Sequence, residues 1–178
     1  MRTQPDAYPA ALKILHWATA VIIMLLIPAG VLMHQLPPGP AQDQLYFLHK
    51  SFGVLVLALT LGRIVVRLSL GAPPPAPTLT PVERAASRTV HRLLYALLIF
   101  MPVVGWLAVS AYGAPIDFFG LFQLPPLMGK DEAAAKPLFR AHMIGAVVLV
   151  CALALHIGGA LAHLWRRDGV FQRMARRR

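Results

Sequence analysis

The chain has 178 residues, of which 57% are hydrophobic and 13% charged, with a net charge of +10 and one cysteine. That apolar excess excludes an ordinary soluble domain and fits a small integral membrane protein. One cysteine excludes an intramolecular disulfide, a cysteine-ligated iron–sulfur cluster and a zinc finger. The arginines lie beside apolar runs, which is membrane topology and not a nucleic-acid-binding face.

Four stretches reach the roughly 20 apolar residues that cross a bilayer: residues 11–33, 49–68, 93–112 and 139–165. The first is longer than a signal-peptide core and opens on His16-Trp17, so it reads as a retained helix. Leu36-Pro37-Pro38-Gly39-Pro40 makes a short loop, and the Pro-rich run from Ala72 to Pro81 is a stiff linker that cannot continue a helix. Thr80-Pro81-Val82-Glu83 then has the form of a helix start, with Thr80 as N-cap, Pro81 first and Glu83 third. The longest connection, Gly113 to Pro137, carries Asp117, Asp131 and Glu132 beside its lysines and shows no strand pattern. Cys151, mid-span among Val and Leu, reads as a small core hydrophobe. The expected architecture is all-α: one integral membrane four-helix bundle over residues 1–178.

Charge sets the expected orientation. Thirteen basic residues flank one side: Arg2, Lys13, Arg63, Arg67, Arg84, Arg88, Arg92, Arg166, Arg167, Arg173, Arg176, Arg177 and Arg178. Lys50, Lys130, Lys136 and Arg140 flank the other. The excess puts both termini in the cytoplasm of a multi-pass inner-membrane protein.

The fourth span carries His142 and His156, fourteen residues apart. Fourteen residues advance a helix by nearly four whole turns, so both rings share a face, separated by roughly 21 Å along the axis. With the amino terminus inside, His16 lies at the inner depth of His156, and His49 at the outer depth of His142. Each pair joins two helices, as a cofactor held in a bundle core requires. A single intramembrane histidine can be a polar residue bonded across helices, but four that match in depth by twos point to function. A bis-imidazole site lacks the further ligands of a closed zinc site and suits a six-coordinate b haem. Without Cys-x-x-Cys-His, covalent attachment is excluded. Two b haems, one above the other, are the expectation.

Arg63, fourteen residues after His49, returns to that face at the inner depth, and Arg67 follows one turn on. They are candidates for the inner propionates; positive-inside anchoring is the plainer reading, and the stronger one for Arg67. His163, one heptad after His156, is either a contact for a quinone head group or propionate, or an interfacial polar residue. His91 stands open between a helix-start, an interfacial and a redox role. His34 lies beside a loop and reads as solvated, and Trp106 and Tyr112 read as interfacial aromatics.

At Leu15-His16-Trp17, His49-Lys50-Ser51-Phe52-Gly53 with Arg63 and Arg67, His91 with Leu94-Tyr95, Pro102 with Gly105-Trp106, and the His142…His156 pair, the chain resembles the bacterial cytochrome b561 family. That family is related to the cytochrome b subunits of membrane hydrogenases and formate dehydrogenases. The resemblance implies that His16, His49, His142 and His156 ligate two haems. It also implies a superoxide oxidase activity, in which electrons from periplasmic superoxide pass through the haems to ubiquinone. Six-coordinate haems leave no open iron position, so outer-sphere electron transfer is expected. Lys50 and Arg140 flank the outer ligands and can attract a small anion, though interfacial anchoring and propionate pairing are the plainer reading of each. The competing function is a relay subunit between a partner redox protein and the quinone pool, docked on the 113–137 loop.

Overall fold

The computed structural model describes residues 7–175. Arg2, Arg176, Arg177 and Arg178, counted above among the inner flanks, lie outside the described residues. Four long helices carry the fold: α1 (Ala10–Gln35), α2 (Pro40–Leu70), α3 (Pro81–Tyr112) and α4 (Glu132–Arg166). All four are long and apolar enough to cross a membrane. Their 26 to 35 residues exceed the roughly 20 that span the hydrocarbon, so their ends stand in the headgroup layers. This is why each helix outruns its hydropathy-defined stretch.

Local chemistry sets the helix starts. Proline opens α2 after Gly39, whose φ of 153° is a backbone state that favours glycine. The expected capping box forms at α3: the Thr80 hydroxyl accepts from the Glu83 N–H at 3.2 Å, and the Glu83 carboxylate accepts from the Thr80 N–H at 2.9 Å. Asp131 caps α4, its Oδ1 accepting from the Ala133 and Ala134 N–H groups at 3.0 and 3.1 Å. That start precedes the apolar run by seven residues, and Pro137 lies inside the helix in its second turn.

The long connection departs from the expectation. It contains an antiparallel hairpin, β1 (Ile116–Phe118) and β2 (Phe122–Leu124), in register Ile116↔Leu124. Strands of three residues are too short to show alternation in sequence. Phe119 (φ 53°) and Gly120 (φ 74°) make the turn, both left-handed, and Leu121 N–H closes it on the Phe118 carbonyl at 2.9 Å. A four-residue helix α5 (Gln172–Ala175) follows α4.

Helix α1 packs chiefly on α2 and α3 on α4, with α2 joining the two hairpins through α3. The backbones of α1 and α4 approach at isolated points at most. Leu94, Leu97 and Met101 of α3 form the core with Leu149 and Ala152 of α4. Val21, Leu25, Val65, Val147 and Leu155 face outward, as lipid-facing positions do. Cys151 is also exposed, against the expectation of a core position; it lies on the outward face of α4, where a small thiol meets lipid as readily as core.

The first and last described residues meet at one end of the bundle. Tyr8 N–H donates to the Arg173 carbonyl at 3.2 Å, and the Trp17 indole to the Met174 carbonyl at 3.3 Å. Arg166 pairs with Glu83 there. This terminal end lies opposite the hairpin end.

Candidate cofactor sites

Four of the predicted histidines come together as two pairs. At the terminal end, His16 of α1 faces His156 of α4 with ring centres 6.0 Å apart. At the hairpin end, His49 of α2 faces His142 of α4 at 6.2 Å. A metal bound about 2 Å from one nitrogen of each of two opposed imidazoles sets the ring centres roughly 6 Å apart. The rings meet where the helix backbones themselves stay separate.

The hairpin-end pair is held by small residues and a backbone carbonyl. His142 Nδ1 lies 3.1 Å from the Met101 carbonyl, which fixes the proton on Nδ1 and leaves Nε2 free to ligate. A Cβ on Gly105 would meet the His142 ring at 3.2 Å, and one on Gly30 would meet the His49 ring at 3.1 Å. Each glycine lets a neighbouring helix lie against a histidine. His49 Nδ1 is buried without a hydrogen-bond partner, although the Leu26 carbonyl lies alongside.

The hairpin is seated on the residues that follow His49. Lys50 Nζ donates to the Pro115 carbonyl at 2.7 Å. Ser51, 0% exposed, donates to the Asp117 carbonyl at 2.8 Å and accepts from the Phe119 N–H at 3.1 Å. Phe52 meets Phe119 edge-on at 5.0 Å. Trp106, read from sequence as interfacial, donates to the Pro125 carbonyl at 3.0 Å and so ties down the same loop. Arg140 is exposed at this end.

At the terminal end a third ring joins the pair. His91 of α3 lies 5.1 Å from His156, its Nδ1 2.6 Å from the Ser87 carbonyl. Arg63 lies within electrostatic reach of His16, His91 and His156, and its guanidinium stands 5.3 Å above the Tyr95 ring. Arg63 Nε and the Tyr95 hydroxyl are both buried without a partner. Arg67 is exposed, one turn beyond. His163 stands apart from the pair, with Nδ1 2.6 Å from Asp168 Oδ2 and both side chains about 15% exposed (15% and 16%). Burial works to raise the Asp168 carboxyl, but hydrogen bonds from His163 and the Val170 N–H outweigh it and hold it below its ordinary value.

Sequence reasoning missed Gly30, Ser51, Tyr95 and Asp168 as site residues, and left His91 open. Tyr95 had a signal: it follows His91 by one helical turn and shares its face. Gly30 and Ser51 act through contacts with other segments of the chain, and Asp168 through His163, five residues before it, across the end of α4.

The donor set fits b-type haem. Paired imidazoles face each other at metal-bridging distance, one with its tautomer fixed, and unpartnered buried polar groups stand beside them. Such pairs at two depths of a helical membrane bundle suit the binding of b-type haem. Comparison with known proteins agrees: the sequence model of prokaryotic cytochrome b561 matches residues 7–177. Cytochrome b561 homolog 2 of Escherichia coli K12 is 30% identical over 175 residues, covering 96% of this chain and 92% of that one. The protein called probable superoxide oxidase CybB in Yersinia pestis is 24% identical, covering 90% of each chain. Cytochrome b562 of Cereibacter sphaeroides is 28% identical over 99% of both. The chain belongs to the prokaryotic cytochrome b561 family, and is a bacterial membrane protein of electron transfer that binds b-type haem.

Proposed function

We propose that the chain is a di-haem oxidoreductase of the bacterial inner membrane that oxidises periplasmic superoxide and reduces ubiquinone, with both termini in the cytoplasm. The observation that carries this reading is the pair of imidazole couples, with ring centres 6.2 and 6.0 Å apart, at two depths of one helix. His49 and His142 would hold the haem at the hairpin end, and His16 and His156 the haem at the terminal end. When bound, each haem would supply reversible one-electron iron chemistry.

The surrounding residues have separable tasks. Arg140 and Lys50 make the hairpin end attractive to a small anion, with Lys50 held at its post by the Pro115 carbonyl. Arg63 offers its charge to the terminal-end haem carboxylates, and Arg67 adds field from the boundary. His163, oriented by Asp168 through Nδ1, keeps Nε2 for a quinone head group. Two superoxide anions lose one electron each to become two dioxygen molecules. One quinone gains those two electrons and takes two protons from the cytoplasmic side to become quinol. The name of the Yersinia pestis relative supports the donor.

The second reading, a relay subunit, draws on the hairpin tip, where Leu121 and Phe122 are 75% and 56% exposed and offer an apolar docking edge. Stopped-flow reduction of the oxidised protein by a superoxide pulse, with and without ubiquinone, separates the two. Superoxide oxidation predicts haem reduction near the diffusion limit and quinone-dependent reoxidation. Slow reduction of protein carrying its full haem complement favours the relay.

A further inference from the structure

Beside the His16–His156 pair stand two buried donors with nothing to donate to. The Tyr95 hydroxyl and Arg63 Nε are both enclosed without a partner, and the guanidinium stands 5.3 Å over the Tyr95 ring. Buried polar atoms left unpaired weaken a fold, so two of them side by side imply an absent partner that reaches both. The guanidinium can only donate, so the missing partner is an acceptor. Beside a buried cation the partner of choice is an anion. His91 is one turn before Tyr95 on α3 and its ring lies 5.1 Å from His156, which brings the two donors to the margin of the His16–His156 site. No comparable pair of donors stands at His49 and His142 among the unpartnered atoms of the described residues.

We propose that the Tyr95 hydroxyl, together with Arg63, binds a carboxylate of the terminal-end haem, so that Tyr95 is a positioning residue that fixes the rotation of the macrocycle and raises its potential. This inference rests on the haem-ligand reading given above. A phenol hydrogen bond and a guanidinium both neutralise carboxylate charge near the iron. Losing either leaves more negative charge there and favours the ferric state.

The test uses Tyr95→Phe, which keeps the ring beneath Arg63 and removes only the hydroxyl, in the full chain and in a His142→Ala background that would retain the terminal-end haem alone. Haem content, a redox titration and the rate of haem transfer to apomyoglobin are measured for each. The expected result is full haem content, a lowered potential for the terminal-end haem, an unmoved potential for the other, and several-fold faster release of the terminal-end haem. Complete loss of that haem alone from folded protein also supports the proposal. Unchanged potential and release rate in protein with both haems overturn it and leave the ligand reading standing. A parent chain that holds fewer than two haems overturns the ligand reading instead. If Tyr95→Phe does not fold, Arg63→Gln, which removes the guanidinium and its charge, carries the same expectations.

Discussion

The two ends of the bundle solve the same problem with different chemistry. At the hairpin end the histidines are placed by shape: Gly30 and Gly105 admit the rings, the Met101 carbonyl holds one of them, and a hairpin closes over the residues beside His49. At the terminal end placement is by charge and polar contact: His91, Arg63 and Tyr95 crowd the pair, and the tail is tied across by the Arg166–Glu83 and His163–Asp168 pairs. On the di-haem function proposed above, these unlike surroundings would hold the same ligand set at different potentials and so give electron flow along α4 a direction.

Removing ligands breaks the comparison most severely. His142→Ala should cost the hairpin-end haem and His156→Ala the terminal-end haem, each halving the haem content measured as the pyridine haemochrome, with the other haem spectrally intact. Loss of both haems from each variant would mean that the sites are not independent.

Steric change should act on one end only. Gly105→Ala puts a Cβ 3.2 Å from the His142 ring, and Gly30→Ala puts one 3.1 Å from the His49 ring. Overpacking of this kind costs about 1–3 kcal/mol. Electron paramagnetic resonance should show altered g values for the hairpin-end haem and unaltered ones for the other.

Ser51→Ala sharpens the contrast further. It leaves the Asp117 carbonyl and Phe119 N–H without the buried hydroxyl that serves both, a loss of about 1–3 kcal/mol. A two-stranded hairpin has little stability of its own. Limited proteolysis should therefore cut near Gly120 faster, and dithionite should reduce the hairpin-end haem faster.

The smallest effect belongs to the tail. Because the folded Asp168 carboxyl is held below its ordinary value of about 3.9, its pairing stabilises the fold above that pH. The contribution is lost as pH falls through the lowered folded value. Thermal melts of Asp168→Asn should thus lie below those of the parent at pH 6, with the gap closing below about pH 4.

Much of this was legible in the sequence, because membrane helices are written in hydropathy and the paired histidines in a spacing that matches whole turns. The Thr80 cap was readable for the same reason: its partners are three residues apart. The hairpin was not, since three-residue strands carry no period and their anchor, Ser51, lies sixty-six residues away in the chain. Gly30 and Gly105 say nothing alone; their meaning is the ring on a neighbouring helix. Tyr95 could be placed on the His91 face by its spacing, but that its hydroxyl has no partner is a property of the packed bundle. Cys151 was misjudged because an apolar neighbourhood in sequence does not separate a core face from a lipid face.

The proposed function stands on two bis-histidine haems at two depths of one bundle. A redox titration of the purified protein, followed by electron paramagnetic resonance together with haem and protein assay, tests it most directly. Two haems per chain, both low-spin and titrating at two distinct potentials, are the expected result. One haem per chain, or a high-spin centre with an open position in the intact protein, would contradict it.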